Sequence, residues 1–353
     1  MGRDIGNAPM SATVILDEVV ATARALIAGD KGLLAIDEST GTCNARFAAA
    51  GIPQTVEARR AYRELIVTTP GLGESISGVI LYDETIRQHT ADGIPFVRVL
   101  EHAGIIVGIK VDTGRSAMAG HAGETATDGL DGLRERLAAY AQLGARFAKW
   151  RAALTIGEET PSPGCVEANA EGLARYAALC QEAGLVPVVE PEVLMDGSHS
   201  LSRCAEVSEQ VLRTVFDALH SQGVALEAMI LKPNMVLAGS ACDTQPSIVE
   251  VADATITCLS RTVPPAVPGI AFLSGGQSAQ LASARLSALN QRSGSAAPWG
   301  LSFSFGRAIQ QPALKLWAGE DANVVAAQHA LAHRADCNRA ARGGHYDPTM
   351  EAA

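Results

Sequence analysis

Lysine is scarce in this chain. Of 28 lysines and arginines only five are lysine: Lys31, Lys110, Lys149, Lys232 and Lys315. A generic surface cation is therefore almost always arginine. A retained lysine is a candidate for work that a guanidinium cannot do, such as losing a proton and attacking a carbonyl. Other scarcities exclude whole classes of protein. There is no basic excess; the net charge of −10 argues against a nucleic-acid partner. It leaves an anionic small molecule open, because a few cations focused in a cleft outweigh a surface field. No apolar run is long enough for a bilayer, the stretch Gly104–Ile109 being typical. The first ten residues, MGRDIGNAPM, lack a signal-peptide core, and Gly6 stands where a myristoylation signal requires Ser or Thr. A soluble, cytoplasmic protein with no membrane partner is expected. The seven cysteines are odd in number and form no CxxC pair, so they read as scattered reduced thiols.

Apolar residues are abundant, at 47%, and they recur as eight short runs. These are 32–36, 78–82, 105–109, 147–150, 186–189, 228–231, 270–273 and 301–305. Short apolar runs bounded by Gly, Pro or polar residues predict strands buried on both faces. Between them lie helical patterns, as in 130–143, 167–183, 201–220, 248–259 and 277–291. The alternation predicts a parallel sheet, and eight units in 353 residues predict a single-domain (β/α)8 TIM barrel spanning 1–353. A doubly wound open sheet is the alternative, but no G-x-G-x-x-G follows the first strand. Further helices, over 16–28 and 308–341, are expected to pack outside, and residues 342–353 are expected to form a mobile tail.

Each run ends in polar residues. In order these are Asp37-Glu38-Ser39-Thr40; Asp83-Glu84-Thr85; Lys110 and Asp112; Lys149 and Arg151; Glu190 and Glu192; Lys232-Pro233-Asn234; Ser274-Gly275-Gly276-Gln277; and Gly306-Arg307. In a barrel these positions converge on the face where barrel chemistry occurs. Any one of them is as easily a structural ion pair, but eight coincident placements are harder to explain so. Ser274-Gly275-Gly276 and Gly306-Arg307 form a candidate phosphate cradle, in which backbone N–H groups approach an oxyanion beside a helix expected to start at Gln277. Taken as a turn and a helix cap, the same residues carry no ligand. Lys232 closes an apolar strand, where burial disfavours the ammonium; a neutral amine there adds to a ketone and forms an iminium. The plain alternative is a snorkelling lysine. Asp37, Glu190 and Glu192 offer the proton transfers such chemistry needs. Lys110, Arg151 and Arg46 are candidates to hold a second phosphate. No metal is expected: there is no H-E-x-x-H, and five histidines are scattered. His329, His333 and Cys337, at i, i+4 and i+8 outside the barrel, read as half-exposed helix residues.

The stretches GLLAIDEST (32–40), GVILYDET (78–85), GIKVDTG (108–114), FAKWR (147–151), GLVPVVEPEVL (184–194), LKPNMV (231–236), RTVPPAVPGIAFLSGGQS (261–278) and PWGLSFSFGRA (298–308) resemble the class I fructose-bisphosphate aldolases, in order and over about 15–347. The resemblance implies a metal-independent lyase that cleaves fructose 1,6-bisphosphate through a covalent Schiff base on Lys232, without a cofactor. It implies Glu190 as the acid/base of carbinolamine formation and Asp37 as the base at the breaking bond. It gives Lys149 the developing negative charge and makes Glu192 a support for the lysines. Ser274, Gly275, Gly276, Ser304, Gly306 and Arg307 match the ketose-phosphate end; Ser39, Thr42, Arg46, Lys110 and Arg151 match the other, with Arg59 near the mouth. Thr42 stands where serine is common. A homotetramer is implied. Many members end in a tyrosine that visits the site; this chain ends GGHYDPTMEAA, with Tyr346 its nearest counterpart. A Schiff-base aldolase of different sugar preference, and a non-catalytic binding protein on the same fold, are the competing readings.

Overall fold

Each apolar run becomes one stave of a closed, all-parallel barrel in the computed structural model, which describes residues 12–294 and 297–352. The first ten residues, on which the absence of a signal core was read, lie outside the described residues. In chain order the strands are β1 (Gly32–Ala35), β2 (Ile76–Leu81), β3 (Ile106–Lys110), β4 (Gly114–Ala117), β5 (Thr125–Asp128), β6 (Phe147–Leu154), β7 (Val186–Val193), β8 (Ile230–Leu231), β9 (Gly269–Phe272) and β10 (Gly300–Phe305). The barrel order is β1-β10-β9-β8-β7-β6-β3-β2. Strands β4 and β5 stand apart as an antiparallel hairpin inserted between the third and fourth staves. The apolar runs of the sequence do not predict it.

Side chains alternate across a strand, so one parity faces the barrel axis and the other the helices. Leu33, Ala35, Ile80, Phe147, Val186, Val188, Ile230 and Ala271 form one buried cluster inside. Their chain neighbours, such as Leu34, Val79, Leu81, Trp150, Val189, Leu231 and Phe272, belong to the larger cluster under the helices. At the N-terminal end the interior is tightly filled. A Cβ on Gly108 would come within 2.3 Å of the Phe147 ring, so glycine is what lets that ring cross the axis. The N-terminal helix Ala12–Leu26 packs outside the barrel, across its N-terminal end. Its Leu26, with Ile27, plugs the floor: Leu26 packs over Gly78, and Ile27 against Gly269 and Gly300 at the first positions of β9 and β10.

Strands β6 and β7 run four residues beyond their apolar cores, to Leu154 and Val193, with Arg151 opposite Glu190 and Ala153 opposite Glu192. The segment 342–353 leaves helix Val324–Arg342 and ends in a short turn, Pro348–Ala352, docked on the body; Ala353 lies outside the described residues. Tyr346 is buried there, its hydroxyl donating to Glu351 at 2.8 Å, and Glu351 also accepts from the buried Arg334.

Candidate active site

Continuing the inward parity past the apolar layer predicts which side chains meet above it. From Ala35 it reaches Asp37, from Ile80 Tyr82, from Gly108 Lys110, from Phe147 Lys149 and Arg151, from Val188 Glu190 and Glu192, from Ile230 Lys232, and from Ser302 Ser304. All of these line one cavity of about 840 Å³ at the C-terminal mouth of the barrel. Three of the five lysines stand in it.

At its base four charged groups are almost wholly buried. Lys232 Nζ lies 3.1 Å from Glu190 Oε1, and Lys149 Nζ lies 3.1 Å from Glu190 Oε2 and 2.7 Å from Asp37 Oδ2. Lys232 and Glu190 are each 3% exposed. The Glu190 Oε2 contact is electrostatic, being out of hydrogen-bond alignment. Burial alone would raise the Asp37 carboxyl, but Lys149 and Lys232 outweigh it and hold it at about 2. Burial likewise opposes the Glu190 carboxylate, yet the same two lysines with Arg151 bring its pKa below the usual range. Burial would depress Lys149, and Asp37 with Glu190 instead raise it, so Lys149 stays a cation. The quartet thus sets two lysine nitrogens and two carboxylates alternately at a buried base. Lys232 and Glu190 are one proton transfer away from a neutral amine beside a carboxylic acid.

Above this base the cavity has two ends. At one, Ser274, Gly275, Ser304, Gly306 and Arg307 line the wall. Gly275 and Gly276 both take positive φ, 56° and 90°, a conformation that turns successive N–H groups the same way and that glycine adopts at little cost. The helix after this loop, Ala279–Ser293, begins two residues later than the expected Gln277, capped by Ser278. The buried Ser304 hydroxyl has no hydrogen-bond partner within the described protein, as a ligand-binding group would. Gly276 lines the adjoining groove, with Arg307 Nη2 near the position its Cβ would occupy.

At the other end stand Ser39, Thr42, Arg46, Lys110 and Arg151. Ser39 caps helix Thr40–Ala49 through the Thr42 amide. The cations here are all engaged. Arg46 bonds Glu38 and, at 3.3 Å, Gln311; Lys110 pairs with Asp112 at 2.6 Å; Arg151 bonds Glu192. Glu192, expected beside the lysines, is therefore Arg151's partner. Arg59 is not brought to the mouth: a two-pronged bond to Glu84, at 2.8 and 2.7 Å, and one to Asn44 hold it behind the wall. Tyr82, Glu38, Leu273, Gln311 and the hairpin residues Gly114, Arg115 and Thr127 also line the cavity and were given no role from the sequence. Parity would have found Tyr82 and Leu273.

Among the described residues, the one group of three side chains placed to ligate a metal is His333, Cys337 and Glu351, whose ligand atoms lie within 4.8 Å of one another. None of the three lines the mouth, and the Arg334 guanidinium already serves as the cation for Glu351. Cys337 is fully buried and His329 exposed, so the three residues read as half-exposed divide instead.

The chain matches the family model described as fructose-bisphosphate aldolase class-I over residues 18–353. It is 55% identical over 324 residues to a probable fructose-bisphosphate aldolase class 1 of Xanthomonas axonopodis pv. citri (strain 306), covering 92% of this chain and 96% of that one. It is 51% identical over 331 residues to the cytosolic fructose-bisphosphate aldolase 6 of Arabidopsis thaliana, covering 94% and 92%. Its fold superposes, with a TM-score of 0.94 and 45% identity over 98% of this chain and 99% of the other, on a Plasmodium falciparum fructose-bisphosphate aldolase solved with TRAP and a small-molecule inhibitor.

Proposed function

The chain belongs to the class I fructose-bisphosphate aldolase family, and from that premise we propose that Lys232 is its Schiff-base nucleophile, served by Glu190, Asp37, Lys149 and Glu192. The observation that carries the assignment is the buried contact of Lys232 Nζ with Glu190 Oε1 at 3.1 Å, with Lys149 bridging that same carboxylate to Asp37.

The activity of the family is the reversible cleavage of fructose 1,6-bisphosphate to dihydroxyacetone phosphate and glyceraldehyde 3-phosphate. In this site Glu190 takes a proton from the Lys232 ammonium, and the free amine adds to the C2 carbonyl. Glu190 hands its proton to the new oxyanion, removes one from the nitrogen, and returns it to the hydroxyl, which leaves as water; the iminium remains. Asp37, held ionised, takes the C4 hydroxyl proton. The C3–C4 bond then breaks, its electron pair passes to the iminium to form the enamine, and the aldehyde departs. Protonation at C3 and hydrolysis release the second product and restore Lys232. Lys149 stays cationic throughout and stabilises negative charge as it develops at the substrate oxygens. Glu192 acts one step removed, by orienting Arg151. Ser274, Gly275, Ser304, Gly306 and Arg307, with Gly276 behind them, hold the phosphate of the ketose end. Ser39, Thr42, Arg46, Lys110 and Arg151 hold the other.

The deciding experiment is borohydride reduction in the presence of dihydroxyacetone phosphate, followed by peptide mapping. Label on Lys232 is expected; label on Lys149 or Lys110 overturns the assignment. The chemistry needs no metal or other cofactor, since the iminium is itself the electron sink, and activity is expected to survive prolonged EDTA. Loss on chelation with recovery on Zn²⁺ would reverse that conclusion. The substrate is a phosphorylated sugar, and neither nucleic acid nor membrane is a partner. Among the described residues no helix is long and apolar enough to cross a membrane, and a relative named as cytosolic supports a cytoplasmic location. A homotetramer is the assembly proposed on family grounds; sedimentation velocity tests it.

A further inference from the structure

The cavity is lined by seven cations, Arg46, Lys110, Arg115, Lys149, Arg151, Lys232 and Arg307, and by five carboxylates, Asp37, Glu38, Asp112, Glu190 and Glu192. Five of the cations touch a carboxylate: Lys149 has Asp37 and Glu190, Lys232 has Glu190, Arg46 has Glu38 together with the buried Arg63, and Lys110 and Arg151 have Asp112 and Glu192. Among the described residues Arg307 and Arg115 have no carboxylate partner. Arg307 stands at the ketose-phosphate end beside Gly276. Arg115 stands elsewhere, on the hairpin that follows the third stave.

Its position there is fixed by the backbone. Arg115 lies directly opposite Thr127 in the antiparallel β4–β5 pair, so the two side chains share one face. The Thr127 hydroxyl donates to the Arg151 carbonyl at 2.9 Å, which shows that this face is turned toward β6 and the mouth. The base of the hairpin is tied down as well: Thr113 donates to the Asp128 carbonyl at 2.9 Å, and Arg136 donates to the carbonyls of Val111 and Gly129. Arg115 is exposed and extends from a braced support over the end where Lys110 and Arg151 stand.

A bisphosphate brings a dianion to each end of the cavity. At the distal end Lys110 and Arg151 each stand against a carboxylate of their own, and Arg46 shares Glu38 with the buried Arg63, so a phosphate drawn there by them alone would meet cations already committed to carboxylates. We propose that Arg115 is the specificity-determining residue for the phosphate remote from Lys232, the group that distinguishes fructose 1,6-bisphosphate from fructose 1-phosphate. It supplies a cation that no carboxylate holds, and it does so at the rim, where it meets the incoming substrate first. The proposal rests on the aldolase reading above and adds a residue to it.

The test compares Arg115→Ala, Arg115→Lys and Arg307→Ala on the two ketoses. For Arg115→Ala the ratio of kcat/KM on the bisphosphate to that on the monophosphate falls about tenfold, the scale of one charge-assisted hydrogen bond at a screened rim. The loss lies in KM, and Arg115→Lys recovers most of it. Added salt raises KM for the bisphosphate more steeply in the unmodified enzyme than in Arg115→Ala. Arg307→Ala weakens both substrates together, because both carry the ketose 1-phosphate. A ratio within about twofold of the unmodified enzyme, on a residue expected to carry a full charge contact, overturns the proposal. A parallel loss on both ketoses in Arg115→Ala also overturns it, by showing that the hairpin rather than the charge was disturbed. An unmodified protein that cleaves neither ketose and takes no label on Lys232 overturns the aldolase reading itself, and this proposal with it.

Discussion

At the N-terminal end of the barrel the inward side chains are Leu33, Ile80, Phe147, Val186, Val188 and Ile230; at the C-terminal mouth they are Asp37, Tyr82, Lys110, Lys149, Glu190, Glu192 and Lys232. The first set closes over itself with no room for a Cβ on Gly108. The second opens into a cavity of about 840 Å³ in which each buried charge has a counter-charge. Removing an ion from water costs several kcal/mol even after relaxation, and a good partner does little more than offset that cost. The mouth therefore adds little to stability. It is held in shape by the floor, which has no chemistry of its own. One stretch of strand is selected for packing and the next for proton transfer, with no boundary between them other than distance along the chain.

If that division is right, substitutions at the two ends should separate cleanly. The largest effect belongs to Lys232→Arg. Guanidinium keeps its proton and cannot form the iminium, so kcat should fall by on the order of 10⁴-fold or more, the scale seen when a covalent nucleophile is lost. Circular dichroism and cooperative melting should be retained, since a cation still faces Glu190. Residual turnover near the unmodified rate would break the comparison at its centre.

Gly108→Ala probes the floor and should act in the opposite sense. Its Cβ would meet the Phe147 ring at 2.3 Å, and overpacking of this kind costs roughly 1–3 kcal/mol. The urea midpoint should fall accordingly, while borohydride labelling of Lys232 persists below the transition. A Gly108→Ala protein as stable as the parent would mean that the floor is not close-packed. A stable variant that no longer takes the label would mean that floor and mouth are coupled after all.

The same division explains what could be read from the sequence. The eight staves were legible because a strand covered on both faces must be an apolar run, and each run of the floor is one. The ends of β6 and β7 were not: Arg151, Glu190 and Glu192 look like loop until it is known that Arg151 neutralises Glu192 and the lysines neutralise Glu190. Lys232 was legible for two reasons, its apolar strand and the scarcity of lysine around it. Resemblance placed Arg59 near the mouth, but no single sequence tells that Glu84 holds it back. The hairpin was invisible because Gly114–Ala117 and Thr125–Asp128 are short, polar and mostly exposed, with no buried face to impose a pattern. Arg115 was overlooked with it.

The smallest expected effect concerns the far end of the chain. A tyrosine that visits the site must bring its hydroxyl to the mouth, and Tyr346, just after Gly343 and Gly344, is the nearest counterpart in this chain. In the structure that hydroxyl donates to Glu351 at 2.8 Å, with the ring buried against the body. Gln291 also donates to the Gly344 carbonyl at 2.7 Å, tying down the approach. Deleting residues 345–353 would be a poor test, because Glu351 is the partner of the buried Arg334, and Arg334 in turn donates to the Ala279 carbonyl at the start of the helix behind Gly275 and Gly276. An unpaired guanidinium there would disturb stability and the phosphate loop together. Tyr346→Phe removes the hydroxyl alone. Protonation of the enamine then falls to the carboxylates of the site or to water, and both kcat for cleavage and exchange of the dihydroxyacetone phosphate proton in deuterium oxide should change less than about threefold, well under roughly 1 kcal/mol of barrier. A loss of exchange of about tenfold, roughly 1.4 kcal/mol, would require Tyr346 to leave its dock and visit the mouth during turnover. The tail would then belong to the chemistry of the mouth rather than to the packing of the body.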